Sequence, residues 1–318
     1  MALDLIEVKR TLESLNASHG AGKVFYVCPD GASETYRSDF IGIQKVAGQV
    51  HSTVASAVSS CVSNRGDIVV VFPGTYTQTG GAVTLDKNGM TLMGLPGRRD
   101  MTLLKTGVNS EQAAEVTGFN TINVTGDGCT VKDLTISNGW ENDAGKTRIC
   151  IGSQGEAMTV SGCKLTFDTA AASCMTGIYL TKSNAKILDC HFEDTMSGSA
   201  IVMDADGGDI VNVLIKGCYF VGVNASTKLA LHVTDSANDT TNLVVTECLF
   251  STNGAGGAAA SHFYDLLNGG AGATTGEIAD NVFTVASIDT AAQMGAKDAA
   301  VLMVRNWGID GVSAAIPS

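Results

Sequence analysis

The sequence predicts an all-β solenoid, a parallel β-helix in which each turn of the chain, here called a coil, is one repeat unit. Two observations predict it. A six-residue phrase recurs along the chain at nearly regular intervals, and the apolar composition is unusual. Apolar residues make up 44% of the 318 residues, yet only 6% are aromatic. A core of Val, Ile, Leu, Ala and Cys favours strands that pack face to face.

The recurring phrase fixes the predicted core. Its copies are VKDLTI, VSGCKL, ILDCHF, IKGCYF, VTECLF and IADNVF, which begin at Val131, Val160, Ile187, Ile215, Val245 and Ile278. Positions four and six share one face of a strand, and position one joins them if a bend falls between. Stacked coils then place equivalent residues over one another. The predicted core ladders are Cys163, Cys190, Cys218 and Cys248 at position four, and Phe192, Phe220, Phe250 and Phe283 at position six.

A second series of apolar segments accompanies the phrases. It consists of TINV, ICIG, GIYL, AIVM, ALHV and HFYD, and each begins 10 to 16 residues before its partner phrase. Each unit therefore holds at least two short strands and has no room for a long helix. A period of this size indicates a solenoid, propeller or array, and the units are too short for propeller blades. The intervals vary because loops lengthen without disturbing stacked strands.

Three regions are predicted along the chain. Residues 1–22 form an amphipathic helix or docking arm, and residues 23–288 form the β-helix. A cap helix near residues 52–64 covers the N-terminal end of the coils, because Val54, Val58, Cys61 and Val62 share one helical face. Residues 289–318 form a C-terminal strand and an irregular tail.

The opening of the solenoid carries a family resemblance. FYVCPDG, the cap helix, GDIVVVFPGTYT and VTLDKNGMTLMG follow one another over residues 23–105. This order resembles the start of pectin-lyase-like right-handed parallel β-helix proteins, and the coil pattern extends the likeness to about residue 285. The resemblance implies a single-stranded, right-handed β-helix. It implies no single activity, because the family includes lyases, hydrolases, epimerases, adhesins and viral spikes.

Charge and cysteine usage exclude several classes of partner and cofactor. The net charge of −12 and the pI of about 4.7 predict no nucleic-acid partner and no membrane partner. Nine cysteines without CxxC pairs predict reduced, buried thiols, no metal and no cofactor. The first twenty residues contain acids within their apolar stretch, which predicts a helix and no signal peptide.

Candidate catalytic residues come from the enzymes of the family that the chain resembles. Hydrolases there cluster aspartates, and the nearest group is Asp204, Asp206 and Asp209 in MDADGGD, with Asp235 on the next coil. A polar turn explains the same residues without catalysis. A lyase-type base would be Arg148 or one of Lys182, Lys186, Lys216 and Lys228. His191, with Asp189 and Glu193, forms a predicted exposed polar trio that general acid–base catalysis would also suit.

The sequence favours a structural role over these catalytic ones. The predicted function is a non-enzymatic structural protein of a tailed-phage virion, either a capsid decoration (cement) protein or a small head-attached spike. It would be made in the host cytoplasm and would form a homo-oligomer, a trimer being the first choice. Its partners would be itself, the major capsid or another virion protein, and a possible glycan. The alternatives are a polysaccharide lyase or glycoside hydrolase, and a non-catalytic surface adhesin.

Overall fold

The computed structural model describes residues 22–28, 49–78, 81–96, 99–106, 119–138, 148–167, 175–193, 198–221, 229–234, 237–251, 263–266, 272–284 and 295–308. Most of the predicted N-terminal arm, the end of the C-terminal tail, Asp235 and Lys228 lie outside these residues. Within them the chain is almost wholly β-strand, which confirms the predicted all-β fold class.

In chain order the elements are β1 (Val24–Val27), β2 (Val50–His51), α1 (Val54–Ser59), β3 (Ile68–Val71), β4 (Gly74–Gln78), β5 (Val83–Leu85), β6 (Thr91–Met93), a 3₁₀ turn (Arg99–Met101), β7 (Thr102–Thr106), β8 (Phe119–Val124), β9 (Thr130–Lys132), β10 (Thr135–Asn138), β11 (Arg148–Ser153), β12 (Thr159–Ser161), β13 (Lys164–Phe167), β14 (Met175–Leu180), β15 (Lys186–Leu188), β16 (His191–Phe192), β17 (Ile201–Met203), β18 (Ile210–Val211), β19 (Leu214–Lys216), β20 (Tyr219–Val221), β21 (Leu231–Val233), β22 (Thr240–Thr246), β23 (Leu249–Ser251), β24 (Tyr264–Leu266), β25 (Thr274–Ala279), β26 (Val282–Thr284), β27 (Gly295–Lys297), β28 (Val301–Val304) and β29 (Trp307–Gly308).

The described strands form three parallel sheets. Sheet A has twelve strands in the order β2-β1-β3-β6-β9-β12-β15-β19-β22-β25-β28, with β18 also paired to β22. Sheet B has nine, in the order β29-β26-β23-β20-β16-β13-β10-β7-β4, and sheet C has eight, in the order β27-β24-β21-β17-β14-β11-β8-β5. From β3 onward, consecutive strands belong to sheets A, B and C in turn, apart from the additional sheet A strand β18. A coil therefore contributes three strands, one more than the minimum that the sequence predicted.

A left-handed residue turns the chain from sheet A into sheet B within each phrase. It stands at position three, and its φ angle lies between 53° and 66° in Asp133, Gly162, Asp189, Gly217, Glu247 and Asp280. One residue in this region bends the strand sharply. Positions one, four and six therefore all face the interior, although they belong to two different sheets. The bend that the phrase required is present at position three of all six phrases.

The phenylalanine ladder is a continuous stack inside the solenoid. Phe192, Phe220, Phe250 and Phe283 are fully buried and occupy one register position of sheet B. Successive ring centroids are 4.8, 4.9 and 4.6 Å apart, and the ring planes differ by 7° to 11°. These distances match the spacing between neighbouring strands of a sheet, so the rings stack because the coils do.

The cysteine ladder runs beside it at the corner between sheets A and B. Cys163, Cys190, Cys218 and Cys248 are buried free thiols, as are the other four described cysteines. Each sulfur lies near the carbonyl oxygen two residues earlier, such as Cys190 Sγ and Leu188 O at 3.3 Å. Burial raises the pKa of Cys190. The Cys190 thiol therefore stays protonated, and the four buried side chains fill the corner as small apolar groups.

Two asparagines continue this ladder at the C-terminal end. Asn281 Oδ1 accepts from Cys248 N at 2.9 Å, and Asn281 Nδ2 donates to Val245 O at 2.9 Å and to Asn306 Oδ1 at 3.0 Å. Asn306 Nδ2 donates to Ile278 O at 2.7 Å. The buried amides thus satisfy one another and the backbone.

The ends of the described solenoid differ. At the N-terminal end α1 lies within the predicted cap segment and is shorter than it, and Val54, Ala57 and Val58 bury against the first coils. At the C-terminal end β27, β28 and β29 add a strand to each of the three sheets. The coils therefore continue past residue 288, where the sequence placed their boundary.

Candidate functional site

The predicted acidic group lies in the turn between β17 of sheet C and β18 of sheet A. Asp204 Oδ1 accepts a hydrogen bond from Asp206 N at 3.1 Å, and Asp204 Oδ2 accepts one from the Tyr179 hydroxyl on the preceding coil. Asp206 and Asp209 are exposed residues of the same turn. The carboxylate of Asp204 is therefore held as a turn cap and as a link between two coils.

Tyr179 is locked in its neutral form by this contact. Burial raises the pKa of the Tyr179 phenol, and the hydrogen bond to Asp204 raises it further. A phenol with a raised pKa is a poor general base and keeps its proton for Asp204. The neutral Tyr179 phenol therefore links the two coils and does not exchange its proton near neutral pH.

The next acids along the same corner are also used by the backbone. Asp209 Oδ1 accepts from Asp239 N at 3.0 Å, and Asp239 Oδ1 in turn accepts from Ala273 N at 2.8 Å. Each aspartate thus caps the turn of the following coil, because equivalent turns stack directly. Asp209 and Asp239 are therefore structural residues that link successive turns.

An exposed asparagine ladder follows the acidic turns. Asn212 Nδ2 donates to Asn184 Oδ1 at 3.0 Å, and Asn242 Nδ2 donates to Asn212 Oδ1 at 3.1 Å. All three residues have φ between 55° and 62°, a conformation that asparagine tolerates. This corner is therefore built for coil stacking, and Asp204 and Asp209 are part of that construction.

The predicted lyase-type cations are scattered over the solenoid. Arg148 is buried on β11 of sheet C, whereas Lys186 and Lys216 are exposed on sheet A. Lys216 Nζ lies 3.0 Å from Glu247 Oε1 in a surface ion pair. Lys182 stands in the turn after β14, beside the turn that holds Asp204, because Leu180 pairs with Met203, whereas Arg148, Lys186 and Lys216 belong to strands outside this turn.

Sheet B presents a second candidate surface on its outer face. Position five of each phrase points outward between two inward positions, and parallel pairing aligns these residues in one line. We call this line the outer row, and it consists of His191, Tyr219, Leu249, Val282 and Trp307. The exposed fraction is 36% for Tyr219 and 65% for Trp307. Exposed aromatic side chains in one line are typical of ligand-contacting surfaces.

Of the predicted polar trio, only His191 belongs to the outer row, and Asp189 and Glu193 lie beside it. His191 is half-buried, and its ring stacks on that of Tyr219 with centroids 5.0 Å apart. Glu193 Oε1 pairs with Lys164 Nζ at 2.6 Å, and Asp189 stands at the bend outside the row. The trio therefore does not share one strand face as predicted, because the bend at position three rotates Asp189 away.

The titration of His191 fits a packing role. Burial lowers the pKa of His191, and the nearby Arg99 lowers it further, so the imidazole is neutral at pH 7. Burial alone would raise the pKa of Glu193, but hydrogen bonds from Lys164 and Thr166 hold it below its ordinary value. A neutral ring lies at the head of the outer row, next to a charged pair.

Sequence reasoning missed Leu249, Val282 and Trp307 as surface residues. The signal was present in the phrase itself, since position five lies between two inward positions. Trp307 was hidden because its coil, MVRNWG from Met303, has glycine at position six in place of phenylalanine. Arg305 repeats the left-handed bend of that phrase with φ 50°.

The residues that the structure describes hold neither a metal-binding cluster nor a membrane-spanning helix. Within those residues, His, Cys, Asp and Glu form no group of three or more able to hold a metal ion. No helix among them has both the length and the apolar character needed to cross a bilayer.

The architecture and the comparisons define the class of protein. The profile of the family described as a right handed beta helix region matches residues 117–298, which is more than half of the chain. The chain therefore belongs to the right-handed β-helix family, and the resemblance inferred from its opening motifs is confirmed. No curated protein sequence matches the chain.

Several solved structures share the fold of this chain. A pectin methylesterase from carrot has a TM-score of 0.54 and 12% identity, over 91% of this chain and 83% of that chain. The pectate lyase Pel9A has a TM-score of 0.52 and 14% identity, over 94% and 83%. A pectin methylesterase mutant in complex with a hexasaccharide has a TM-score of 0.50 and 13% identity, over 92% and 91%. At these identities the likeness establishes the fold and leaves the activity open.

Proposed function

We propose that this chain is a non-enzymatic structural protein of a tailed-phage virion, either a capsid decoration protein or a small head-attached spike, and that it works as a homo-oligomer. The observation that carries the non-enzymatic part is the use of Asp204. Its two oxygens accept from Asp206 N and from Tyr179, so the best placed carboxylate serves the turn and the stack. A general acid or base must instead reach a substrate proton.

The attachment part of the proposal is supported by the outer face of sheet A. Leu214, Val244 and Leu302 lie in one register line there, with Glu277 between the last two. The exposed fraction is 37% for Val244 and 61% for Leu302, which stands on the last described coil. Exposed apolar side chains near one end of a rigid solenoid suit contact with another protein. A trimer around this line is our first choice of assembly.

The enzymatic alternative is tested by an activity panel. The purified chain is incubated with neutral and acidic polysaccharides, and both reducing ends and unsaturated uronate products are followed. We expect no turnover above that of a heat-denatured sample. Turnover that Asp204→Asn abolishes while the variant keeps the wild-type unfolding temperature would replace the proposal with a polysaccharide hydrolase or lyase.

Self-association is tested by native mass spectrometry with a matched pair of variants. We expect an oligomer of the 32.7 kDa chain that Leu302→Glu dissociates, because a buried, unpaired carboxylate destabilises an interface. Val62→Glu is the control, since Val62 is 48% exposed near the opposite end of the solenoid. A wild-type monomer, or equal dissociation by both variants, would contradict the assembly that we propose.

A further inference from the structure

A second apolar cluster lies on the outer face of sheet A, at the N-terminal end of the solenoid. Residues along β1 and β3 alternate between two clusters. Phe25 and Val69 belong to the main core, so Tyr26 and Val70 face the opposite side of the sheet. We call the outer cluster the platform. Its eight members are Val24, Tyr26, Cys28, Ile68, Val70, Phe72, Met93 and Leu95.

The platform has the width of one helix. Tyr26 pairs with Val50 on one side and with Val70 on the other, and Val70 pairs with Met93. The next strand places Lys132 opposite Met93, so the apolar surface ends at β9. Four strands at about 4.8 Å spacing give a width of about 14 Å, and four residue steps along β1 give a length of about 13 Å. An α-helix is about 10–12 Å across and covers such an area.

The platform is buried within a single chain. Each of its side chains is at most 5% exposed, although it lies on an outer face. Such a side chain becomes buried only when a further layer covers it. Within the described residues, Val50 is the partly buried apolar side chain that packs against the platform. A partner protein is not needed to explain the burial, so the rest of the cover must come from the same chain.

The N-terminal arm has the sequence pattern of a covering helix. Apolar residues recur there at steps of four and three, the spacing of one helical face. These residues are Met1, Leu5, Val8, Leu12 and Leu15. Leu5 and Leu12 are about 10 Å apart along a helix, which fits within the platform. Residues 1–15 contain neither glycine nor proline, and Asn16 and Gly20 follow as helix stop signals.

The arm joins the chain beside the platform. Lys23 N donates to Asp67 Oδ1 at 2.8 Å, which fixes the start of β1 against β3. Residues 16–21 span up to about 20 Å, enough to turn the arm back over these strands. Residues 29–48 also adjoin the platform strands, but Pro29 and three glycines disfavour a helix there.

We propose that residues 1–15 form an amphipathic helix that docks on the platform of the same chain. Its apolar face covers Tyr26, Val70 and their neighbours, and its polar face becomes the surface of the protein. The arm is then a fixed outer layer of the first coils and is not available to a partner. This contact goes beyond the structural role proposed above and does not depend on it.

The thiol of Cys28 reports whether the platform is covered. The full-length protein is treated with N-ethylmaleimide under native conditions, and alkylation of each cysteine is measured by peptide mass spectrometry. Cys150, equally buried but in the main core, is the internal reference. We expect Leu5→Glu and Leu12→Glu each to raise the alkylation rate of Cys28 by about tenfold or more, because a carboxylate on the apolar face releases the helix. The rate at Cys150 should not change.

Arg10→Glu is the matched control, because Arg10 lies on the opposite side of the same helical pattern and receives the same side chain. It should leave Cys28 protected. The proposal is overturned if Leu5→Glu and Leu12→Glu leave Cys28 protected, which would assign the cover to another segment such as residues 29–48. It is also overturned if Arg10→Glu exposes Cys28 equally. Wild-type protection that rises over an about hundredfold range of chain concentration would overturn it too, because the arm of a second copy would then be the cover.

Hydrogen exchange of the wild-type protein tests the docking without a substitution. It decides the case in which the leucine variants fail to fold, which alkylation of Cys150 would reveal. We expect the backbone amides of residues 5–15 to exchange about a hundredfold or more slowly than those of an isolated peptide of the same sequence. Exchange at the rate of the peptide would overturn the proposal.

Discussion

Phe220 stacks on Phe250 with ring centroids 4.9 Å apart and ring planes 11° from parallel. The two residues are thirty positions apart in the chain and are paired directly in sheet B. The distance between the rings equals the distance between neighbouring strands of the sheet, so the ring stack follows from the stacking of the coils. The same relationship joins Phe192 to Phe220 and Phe250 to Phe283.

Truncation of one ring in this stack should be strongly destabilising. Phe220→Ala removes a fully buried side chain from between two rings, and such changes cost about 3–5 kcal/mol. Urea denaturation followed by circular dichroism measures the loss. Tyr219→Ala, the neighbouring residue on the outer face, should cost less than about 1 kcal/mol. Equal losses of stability for the two variants would contradict the assignment of Phe220 to the inner face and Tyr219 to the outer face of β20.

The asparagine that ends the cysteine ladder should tolerate no apolar replacement. Asn281→Leu removes the acceptor of the buried Cys248 N–H and the side-chain donor to Val245 O, and each unsatisfied group costs about 1–3 kcal/mol. Asn242→Gly, on the exposed asparagine ladder, is the control and should lose far less, because glycine accepts the φ of 55° at that position. Thermal unfolding of both variants measures the difference in stability. Equal unfolding temperatures would contradict the claim that the buried Asn281 side chain stabilises the end of the ladder.

A buried carboxylate at the N-terminal end should make stability depend on pH. Asp67 is fully buried and accepts from Lys23 N, Val62 N and the Arg65 guanidinium, at distances of 2.6 to 2.8 Å. Burial alone would raise the pKa of Asp67, but these hydrogen bonds outweigh it and hold the pKa below its ordinary value. The ionised form is therefore favoured in the folded state.

The sign of the effect follows from that lowered pKa. The stabilisation by Asp67 is complete above the unfolded pKa of about 3.9 and is lost as the pH falls through the lower folded value. At pH 7, Asp67→Asn should cost about 2 kcal/mol or more in urea denaturation, since hydrogen bonds to charged groups are strong. The gap between wild type and variant should narrow below about pH 4. If the difference in the free energy of unfolding between wild type and Asp67→Asn did not change with pH, the lowered pKa assigned to Asp67 would be wrong. Asp280→Asn is the control, because Asp280 belongs to an exposed ion pair, and it should leave the unfolding midpoint unchanged.

Close contact between coil backbones predicts a glycine requirement. A Cβ on Gly155 would lie 2.3 Å from Gly126 O on the preceding coil, a contact that backbone atoms cannot relieve without moving the coil. Gly155→Ala should therefore lower the unfolding temperature by several degrees or prevent folding. Gly207→Ala is the control, because a Cβ there meets nothing within 4 Å. A fully stable Gly155→Ala protein would contradict the coil spacing.

The sequence was sufficient for the fold class because its phrase encodes the coil directly. Val or Ile at position one, the filler at position four and phenylalanine at position six required a bend, and the bend lies at Asp133 and its equivalents. The third strand was missed because it shares the six-residue phrase with the first. Sequence alone separates β9 from β10 only by the left-handed residue between them.

The structural role of Asp204 and Asp209 could not be predicted from the sequence, for a different reason. Asp204 is a cap because Tyr179, twenty-five residues earlier, brings its hydroxyl to the same corner of the neighbouring coil. That contact depends on loop lengths and side-chain geometry in two coils, which the spacing of residues does not specify. Asp209 reaches Asp239 N for the same reason. Turn composition predicted the corner but not the partners.

Mass spectrometry of purified particles tests the proposed virion role most directly. Phage particles produced by the genome that encodes this chain are banded on a density gradient, and their proteins are quantified against the major capsid protein. The proposal predicts that the chain bands with the particles at a constant ratio to the capsid protein through successive gradients. A chain that stays in the soluble lysate, with particles that band without it, would contradict the proposal.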